Sequence, residues 1–327
     1  MARILVTGGA GYVGSVCSAE LIKQGNEVII IDDLSAGHRE CVPTGAEFHV
    51  MDIADADRLR ALLREQPVDA VFHFAAKAVV PESLVSPAIY FKVNVSSALT
   101  MLDVLHDEGV KKFVFSSSAA VYGDPVEVPI PEDHPKQPVN SYGETKLSFE
   151  RALAWYSKAY GISAVAFRYF NASGASEEQG ENHCPETHII PLLFEAALGE
   201  RQHFTVYGED WPTPDGTCLR DYVHVVDIAH AHIAALGKMN QPGFETYNIG
   251  TGRSFSVREV LQAVERVIGM KVPVVAGGRR LGDPAILEAK PDKLIKNLGW
   301  TPKHSDLDNI IATAWAWKSR MVAASSH

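Results

Sequence analysis

The chain has 327 residues, of which 46% are hydrophobic and 21% charged, a balance typical of a globular protein with one large domain or two moderate ones. Its formal net charge of −10 argues against nucleic acid and anionic membrane surfaces as default partners. The sequence has no uninterrupted run of about 18 apolar residues, so we expect no membrane span. Four cysteines without paired spacing predict reduced thiols in a cytoplasmic protein.

Apolar, β-branched runs alternate with stretches of helical periodicity through the first half of the chain. The predicted strands are 3–7, 27–31, 47–50, 70–74, 112–116 and 163–168, and the predicted helices are 13–24, 55–65, 87–107 and 141–160. This alternation predicts an α/β fold with a doubly wound, parallel, Rossmann-type sheet.

The composition changes beyond residue 171. Residues 171–188 and 208–220 are rich in Gly, Pro, Asp and Asn, which predicts loops that close over a site. A helix at 222–236 and a strand at 246–249 are expected to return to the sheet. We therefore predict a first domain over residues 1–170, joined by 221–250, and a smaller, mixed C-terminal lobe over residues 171–327.

A glycine-rich turn follows the first predicted strand and opens the first helix. Gly8, Gly11 and Gly14 allow a tight turn, close approach of a pyrophosphate to the backbone, and close packing of the helix. Asp32 ends the next predicted strand, where a carboxylate can bind the ribose hydroxyls of an adenosine. Because a carboxylate repels a 2′-phosphate, the pattern predicts NAD rather than NADP. A purely structural turn beside a surface aspartate is the alternative.

Further candidate contacts of the cofactor lie along the first domain, several of them at the carboxyl ends of predicted strands, where such ligands bind. They are Tyr12, Val13, Asp52, Ile53, Phe74, Ala75, Ala76, Lys77, Asn94, Ser116, Tyr169 and Phe170.

Tyr142 and Lys146 stand four residues apart on a predicted helix, so their side chains share a face. A tyrosine with a pKa of about 10 is a poor base at neutral pH, but a nearby ammonium stabilises its phenolate. Alone, such a pair is most often a chance feature of a solvated helix. Ser118, at the end of the fifth predicted strand, adds a hydroxyl that could share a substrate oxygen with Tyr142. Beside a nicotinamide, these three residues predict hydride chemistry at a secondary alcohol.

Sequence stretches along nearly the whole chain carry a more specific signal. Among them are VTGGAGYVGS (6–15), SSSAAVYGD (116–124), SYGETK (141–146), YGEDWPTPDGTCLRDYVHV (207–225) and RRLGDPA (279–285). With these motifs the chain resembles the extended short-chain dehydrogenase/reductase family, and within it the UDP-hexose 4-epimerases.

The resemblance implies that UDP-glucose and UDP-galactose are interconverted by transient oxidation at the sugar C4. The 4-keto sugar would rotate and take the hydride back on its other face, with NAD staying bound. Tyr142 would be the base, Lys146 would lower its pKa, and Ser118 would bind the 4-oxygen. A 4-epimerase of another UDP-sugar, UDP-N-acetylglucosamine or UDP-glucuronate, is the alternative.

The resemblance also assigns the contacts of the UDP-hexose. They are Ser118, Tyr142, Asn171, His188, Ile189, Tyr207, Arg220, Arg280 and Asp283. One departure concerns the uridine, because His188-Ile189 stands where some family members have Asn-Leu. Leu287 occupies a position where a bulky aromatic excludes N-acetyl sugars and a small residue admits them, so a leucine leaves that preference open.

Several other functions are disfavoured. Ala119 and Ala120 stand where related dehydratases carry an Asp-Glu pair, and related decarboxylases carry a glutamate at the second position. A non-catalytic NAD-binding protein would not need Ser118, Tyr142 and Lys146 together.

No metal site is expected. Proline interrupts the histidines at 183–188, and His230 and His232 face differently on a helix. The resemblance further implies a homodimer through helices 87–107 and 141–160, the alternative being core helices of a monomer.

Overall fold

A computed structural model of the chain describes residues 1–280 and 282–325. Its largest element is a seven-stranded sheet in which every neighbouring pair is parallel. The strands are β1 (Arg3–Thr7), β2 (Glu27–Asp32), β3 (Glu47–Val50), β4 (Ala70–His73), β5 (Lys112–Ser118), β6 (Ser163–Tyr169) and β10 (Gly243–Ile249). They lie in the order β10-β6-β5-β4-β1-β2-β3, so the chain winds outward in both directions from the centre. The predicted doubly wound α/β fold is confirmed.

Helices cover both faces of this sheet, because its central strands are apolar on both sides. They are α1 (Tyr12–Lys23), α2 (Ala56–Glu65), α3 (Val80–Val85), α4 (Pro87–Phe91), α5 (Ala98–Asp107), α6 (Ser141–Tyr160) and α8 (Val225–Leu236). The helices α1 and α8 pack on one face and α2, α5 and α6 on the other. Short 3-10 turns occupy Arg39–Cys41 and Ala119–Val121.

The helix expected at 87–107 consists of α4, a π-helical segment over Lys92–Ser97, and α5. Within the described part of the chain, the stretch Pro87–Asp107 is long and apolar enough to cross a membrane, a test that core helices also pass. In this fold it packs against α2 and α6.

The strands outside the large sheet include one that the sequence did not predict. They are β7 (Asn171–Ser173), β8 (Phe204–Tyr207), β9 (Leu219–His224), β11 (Ser254–Ser256), β12 (Val274–Gly277) and β13 (Ile286–Leu287), and the remaining helices are α7 (Ile189–Ala197), α9 (Val257–Ile268), α10 (Asp292–Leu298) and α11 (Leu307–Ser325). Strand β9 pairs in parallel with β7 and β13 and antiparallel with β11. A separate apolar core joins α7, α9 and α11.

The helix predicted at 222–236 is wrong in its first turn. Residues 219–224 form β9, because three partner strands satisfy their backbone groups, and α8 begins only at Val225. His224 ends the strand and caps the helix, its Nδ1 accepting a hydrogen bond from the backbone N–H of Val226 at 3.1 Å. Strand β10 then joins the large sheet beside β6, whereas the division of the chain at residue 170 stays a prediction.

Candidate active site

The glycine turn between β1 and α1 has room for backbone only. Gly8 has a φ of +71°, and a Cβ added there would lie 2.5 Å from the backbone nitrogen of Ala75. A Cβ on Gly14 would lie 2.2 Å from the carbonyl oxygen of Gly8. Gly11 is the N-cap residue of α1 and offers no side chain to its first N–H groups, which leaves them available to an anion.

Asp32 lies beside this turn at the end of β2. Its two carboxylate oxygens accept hydrogen bonds from the backbone N–H groups of Ala10 at 3.0 Å and Leu34 at 2.9 Å. Burial raises the pKa of this carboxyl, and the two N–H donors oppose the shift. The glycine turn, the N-terminus of α1 without a side-chain cap, and the adjacent carboxylate of Asp32 together fit the pyrophosphate and adenosine ribose of NAD.

The other polar residues predicted as cofactor contacts in this region form hydrogen bonds with backbone groups. Asn94 receives a hydrogen bond from the backbone N–H of Lys77 at 2.8 Å and donates to the carbonyl of Lys77 and to the hydroxyl of Thr145, both at 3.0 Å. Asp52 accepts from the N–H of residue 54 at 2.8 Å, and Ile53 is buried. Asn94 therefore holds the segment that follows β4, where Ala75 and Ala76 contribute backbone and small side chains and the ring of Phe74 packs against His232.

Two tyrosines predicted as cofactor contacts use their hydroxyls within the protein. The Tyr12 hydroxyl donates to the carbonyl of Gly174 at 2.6 Å, and the Tyr169 hydroxyl lies 2.6 Å from Nε2 of His232. Burial raises the pKa of both phenols well above its usual range. Ser116 also bonds to Tyr169. Val13 and Phe170 are half-buried, and the N–H of Phe170 donates to a carbonyl of β10.

The structure brings the three candidate catalytic residues together where β5 ends and α6 begins. Ser118 lies next to the Tyr142 phenol and favours its ionised form, and the Nζ of Lys146 lies 5.7 Å from the centroid of the Tyr142 ring. Lys146 is only 3% exposed and donates to the carbonyl of Ser116 at 2.8 Å. Asn140 fixes the start of α6 by accepting from the N–H of Gly143 at 2.8 Å.

The pKa of Tyr142 differs from the expectation. Burial raises it, and the neighbouring Ser118 hydroxyl only partly opposes that shift. Burial also lowers the pKa of Lys146 to about 7, with Glu150 opposing, so its positive charge is less complete at neutral pH than that of an exposed lysine. A second positive charge, such as that of an oxidised nicotinamide ring, would add to the stabilisation of the phenolate.

A buried ion pair under the catalytic residues escaped the sequence reasoning. Arg168 and Glu150 are 2% and 3% exposed and meet at 2.6 Å. Glu150 also accepts from the hydroxyl of Ser117 at 2.5 Å, and Arg168 donates to the Tyr122 hydroxyl at 2.8 Å. Glu150 stands four residues after Lys146 on α6, which is the one signal in the sequence that could have identified it.

A cleft lined mainly by residues beyond 170 encloses about 1040 Å³, including the space at its opening. Most of the substrate contacts implied by the resemblance lie along it. Seven of those nine residues line it: Asn171, His188, Ile189, Tyr207, Arg220, Arg280 and Asp283. The other two are Ser118 and Tyr142, at the end of β5. Asn171 is held in place by a hydrogen bond from its Nδ2 to the carbonyl of Asp221 at 2.8 Å.

Two arginines and an aromatic ring give the cleft its chemistry. The guanidinium of Arg280 stacks on the ring of Tyr207 at 3.9 Å from its centroid. Arg220 donates to two backbone carbonyls at 2.9 Å and lies 3.7 Å from the carboxylate of Asp283. These cations can neutralise a diphosphate within a protein of net negative charge. Arg279 lies outside this group, paired with Asp210.

His188 and Leu287 occupy the positions that the resemblance left open. His188 is the N-cap residue of α7, the helix that Ile189 begins. Burial opposes the shift, but hydrogen bonding to Glu186 and the charge of Glu181 raise the pKa of His188 to about 9. Leu287, on β13, is half-buried against the cluster that contains Ala119 and Phe170.

Comparisons with known proteins agree with this geometry. A family model described as the NAD dependent epimerase/dehydratase family matches residues 4–250. A UDP-glucose 4-epimerase from Corynebacterium glutamicum is 46% identical over 319 residues, covering 98% of this chain and 96% of that protein.

Solved structures of similar proteins carry the same names. The UDP-glucose 4-epimerase from Brucella ovis in complex with NAD has a TM-score of 0.93 and 44% identity, covering 96% of this chain and 97% of that one. The enzyme from Bifidobacterium longum in complex with NAD⁺ and UDP has a TM-score of 0.92 and 35% identity, covering 97% and 98%. With an NAD-dependent family matching three quarters of the sequence and a glycine turn that fits the cofactor, the predicted use of NAD is confirmed. The chain belongs to the NAD-dependent epimerase/dehydratase family of extended short-chain dehydrogenase/reductases.

Proposed function

We propose that this protein interconverts UDP-glucose and UDP-galactose by transient oxidation at the sugar C4. The observation that carries the proposal is the placement of Tyr142 beside Ser118 and Lys146, with two alanines directly after Ser118. Bound NAD would supply the acceptor for the hydride of C4 and the donor for its return. Relatives that match nearly the whole chain are named UDP-glucose 4-epimerases, which favours this reaction over epimerisation of UDP-N-acetylglucosamine.

The residues of the chain divide the remaining work. Tyr142 removes the proton from O4 of the sugar, and the Ser118 hydroxyl holds the same oxygen. Lys146 contributes positive charge beside the phenolate, together with the charge of the oxidised cofactor. Ala119 and Ala120 carry no group that could take a proton from C5, so the 4-keto sugar is not diverted to elimination.

Arg220 and Arg280 hold the diphosphate while the sugar turns. Asp283, Tyr207 and the segment at His188-Ile189 line the same cleft, and we assign the uridine to them. A ligand anchored by its nucleotide keeps its keto sugar in the site, which is what return of the hydride to the opposite face requires.

The test uses the purified protein and UDP-galactose, with UDP-glucose as the measured product and no cofactor added. Tyr142→Phe should keep its bound NAD and lose activity by about 100-fold or more, the scale of general-base catalysis. Tyr156→Phe is the matched control, because Tyr156 lies on the same helix and its hydroxyl bonds to Asp103 rather than to a residue of the site. Near-normal turnover by the Tyr142 variant would remove this residue as the base. Parallel assays with UDP-N-acetylglucosamine and UDP-glucuronate decide the substrate.

We further propose that two copies pair through α3–α6. Adjacent helices there expose Leu84, Val85 and Trp155, at 53%, 81% and 66%. A cytoplasmic location fits the four free thiols of the described chain. Light scattering of the wild type and of Trp155→Glu tests the pairing. A wild-type monomer, or a dimer unchanged by the variant, would count against this face.

A further inference from the structure

A compact group of metal-ligating side chains lies in the segment that leads into α7. Glu181, His183 and His188 each offer one ligand atom, and these atoms lie within 4.8 Å of one another. The chain bends at residues 184–185, which brings the two imidazole rings to 5.5 Å between centroids. Proline at 185 was the reason for discounting this group in the sequence, yet the bend there is what assembles it.

We propose that Glu181, His183 and His188 form a binding site for a divalent transition metal, with Zn²⁺ as the best match. Two imidazoles and one carboxylate are a donor set that zinc takes while keeping a fourth position open. Bonds of about 2.0–2.2 Å put tetrahedral ligand atoms roughly 3.4 Å apart, so modest side-chain rotations close the present spacing. Glu186, 2.8 Å from the Nδ1 of His188, supplies the carboxylate that commonly orients a metal-bound imidazole.

The hydrogen bonding of His183 supports the same assignment. Its Nδ1 is buried and in ion-pair contact with Glu181, yet among the described residues it has no partner of hydrogen-bond geometry. The second carboxylate oxygen of Glu181 points toward His188 at 3.6 Å, beyond hydrogen-bond distance. Glu181 thus stands between two imidazoles, and within the described part of the chain the buried Nδ1 of His183 lacks a hydrogen-bond partner that a bound ion would replace.

A second group has ligand atoms within the same 4.8 Å of one another, but two of its side chains already have hydrogen-bond partners. Asp227, His230 and His304 are close together, but the Asp227 carboxylate already accepts from two backbone N–H groups and from the hydroxyl of Ser305 at 2.6–3.0 Å. His230 is paired with Glu20 at 3.0 Å. These partners explain the second group as structural.

The position of the proposed site connects two parts of the molecule. Glu181 and His188 line the large cleft, and Glu181 and His183 also line a smaller hollow beside Gly11 and Tyr12. A bound ion would fix the segment that separates the glycine turn from the cleft. We therefore expect metal binding to raise the melting temperature of the protein as well as to be measurable directly.

The experiment is done on the full-length protein after treatment with a chelator and dialysis, with ZnCl₂ as the only addition. Elemental analysis should show one zinc ion per chain, and Co²⁺ should give visible absorption typical of a four-coordinate nitrogen and oxygen site. His183→Ala and His188→Ala should each bind zinc about 100-fold more weakly or worse. His49→Ala is the matched control, because His49 and Glu47 form a surface pair at 2.6 Å elsewhere.

Glu181→Gln keeps the shape of the side chain and separates ligand loss from misfolding. All variants should retain the wild-type circular dichroism and bound NAD. Wild-type protein that keeps no zinc, or variants at 183 and 188 that bind it as tightly as His49→Ala, would overturn the site. The result is independent of the epimerase assay, because the measured quantity is bound metal.

Discussion

Adding one methyl group at Gly14 tests whether the glycine turn is shaped by close backbone contact. In Gly14→Ala the new Cβ would start 2.2 Å from the carbonyl oxygen of Gly8, and ordinary contact begins at 3.4 Å. The turn must therefore move by about 1.2 Å. Overpacking of this kind costs about 1–3 kcal/mol, and the helix propensity of alanine returns up to about 1 kcal/mol. Because the clash is with backbone atoms, the cost should lie near the upper end of that range, and we expect a net loss of about 2 kcal/mol in the free energy of unfolding.

The same movement displaces the N–H groups at the start of α1, so bound NAD should fall by tenfold or more. Urea unfolding gives the stability, and NAD released from the denatured protein gives the occupancy. Gly243→Ala is the control, because its Cβ would meet no described atom within 4 Å. It should stay within about 0.5 kcal/mol of wild type. A Gly14 variant with wild-type stability and full NAD occupancy would refute the reasoning.

Three further predictions concern the buried charges and the sugar pocket. Glu150→Gln leaves Arg168 buried and unpaired, so urea unfolding should show a loss of about 3–5 kcal/mol, and a loss below 1 kcal/mol would contradict the ion pair's importance. The pKa of Lys146 is about 7 in the folded protein and 10.5 when unfolded, so the unfolded chain binds more protons between those values and stability rises with pH. From pH 7 to pH 9 cofactor-free wild type should gain about 2 kcal/mol relative to Lys146→Met, and parallel pH profiles would exclude a buried, shifted lysine. Leu287→Tyr should abolish any turnover of UDP-N-acetylglucosamine while UDP-galactose turnover changes only a few-fold, and equal losses on both sugars would count against a role in sugar selection.

The parts of the fold that were predictable are those set by short-range pattern. Strands such as β2 are apolar on both faces, and amphipathic helices such as α2 follow in regular alternation. Strand β9 was missed because its alternation runs directly into the apolar start of α8, and short apolar runs do not distinguish strand from helix. Its assignment depends on β7, β11 and β13, which are distant in sequence.

The candidate site, like the fold, was predictable from the sequence only in part. Spacing placed Tyr142 and Lys146 on one face of a helix, and the resemblance identified the residues that line the cleft. Neither could give the pKa of Tyr142, because desolvation depends on what surrounds the phenol in three dimensions. The histidines at 183–188 were discounted because a proline lies between them, and Glu181 was not considered with them, whereas the fold places all three side chains together.

Strand β10 and helix α8 come late in the sequence although they complete the large sheet, which has a consequence for synthesis of the chain. Strand β10 pairs along the full length of β6, and α8 packs against α1 near the opposite end of the sequence. A nascent chain that has just completed β6 therefore leaves that strand's edge unpaired and the apolar side of α1 uncovered. The ribosome must add about another 80 residues, some 4–16 seconds at ordinary elongation rates, before the cofactor-binding sheet can close. During that interval we expect chaperones to bind the exposed apolar surface of the unfinished sheet. A fragment that ends at residue 170 should aggregate rather than bind NAD.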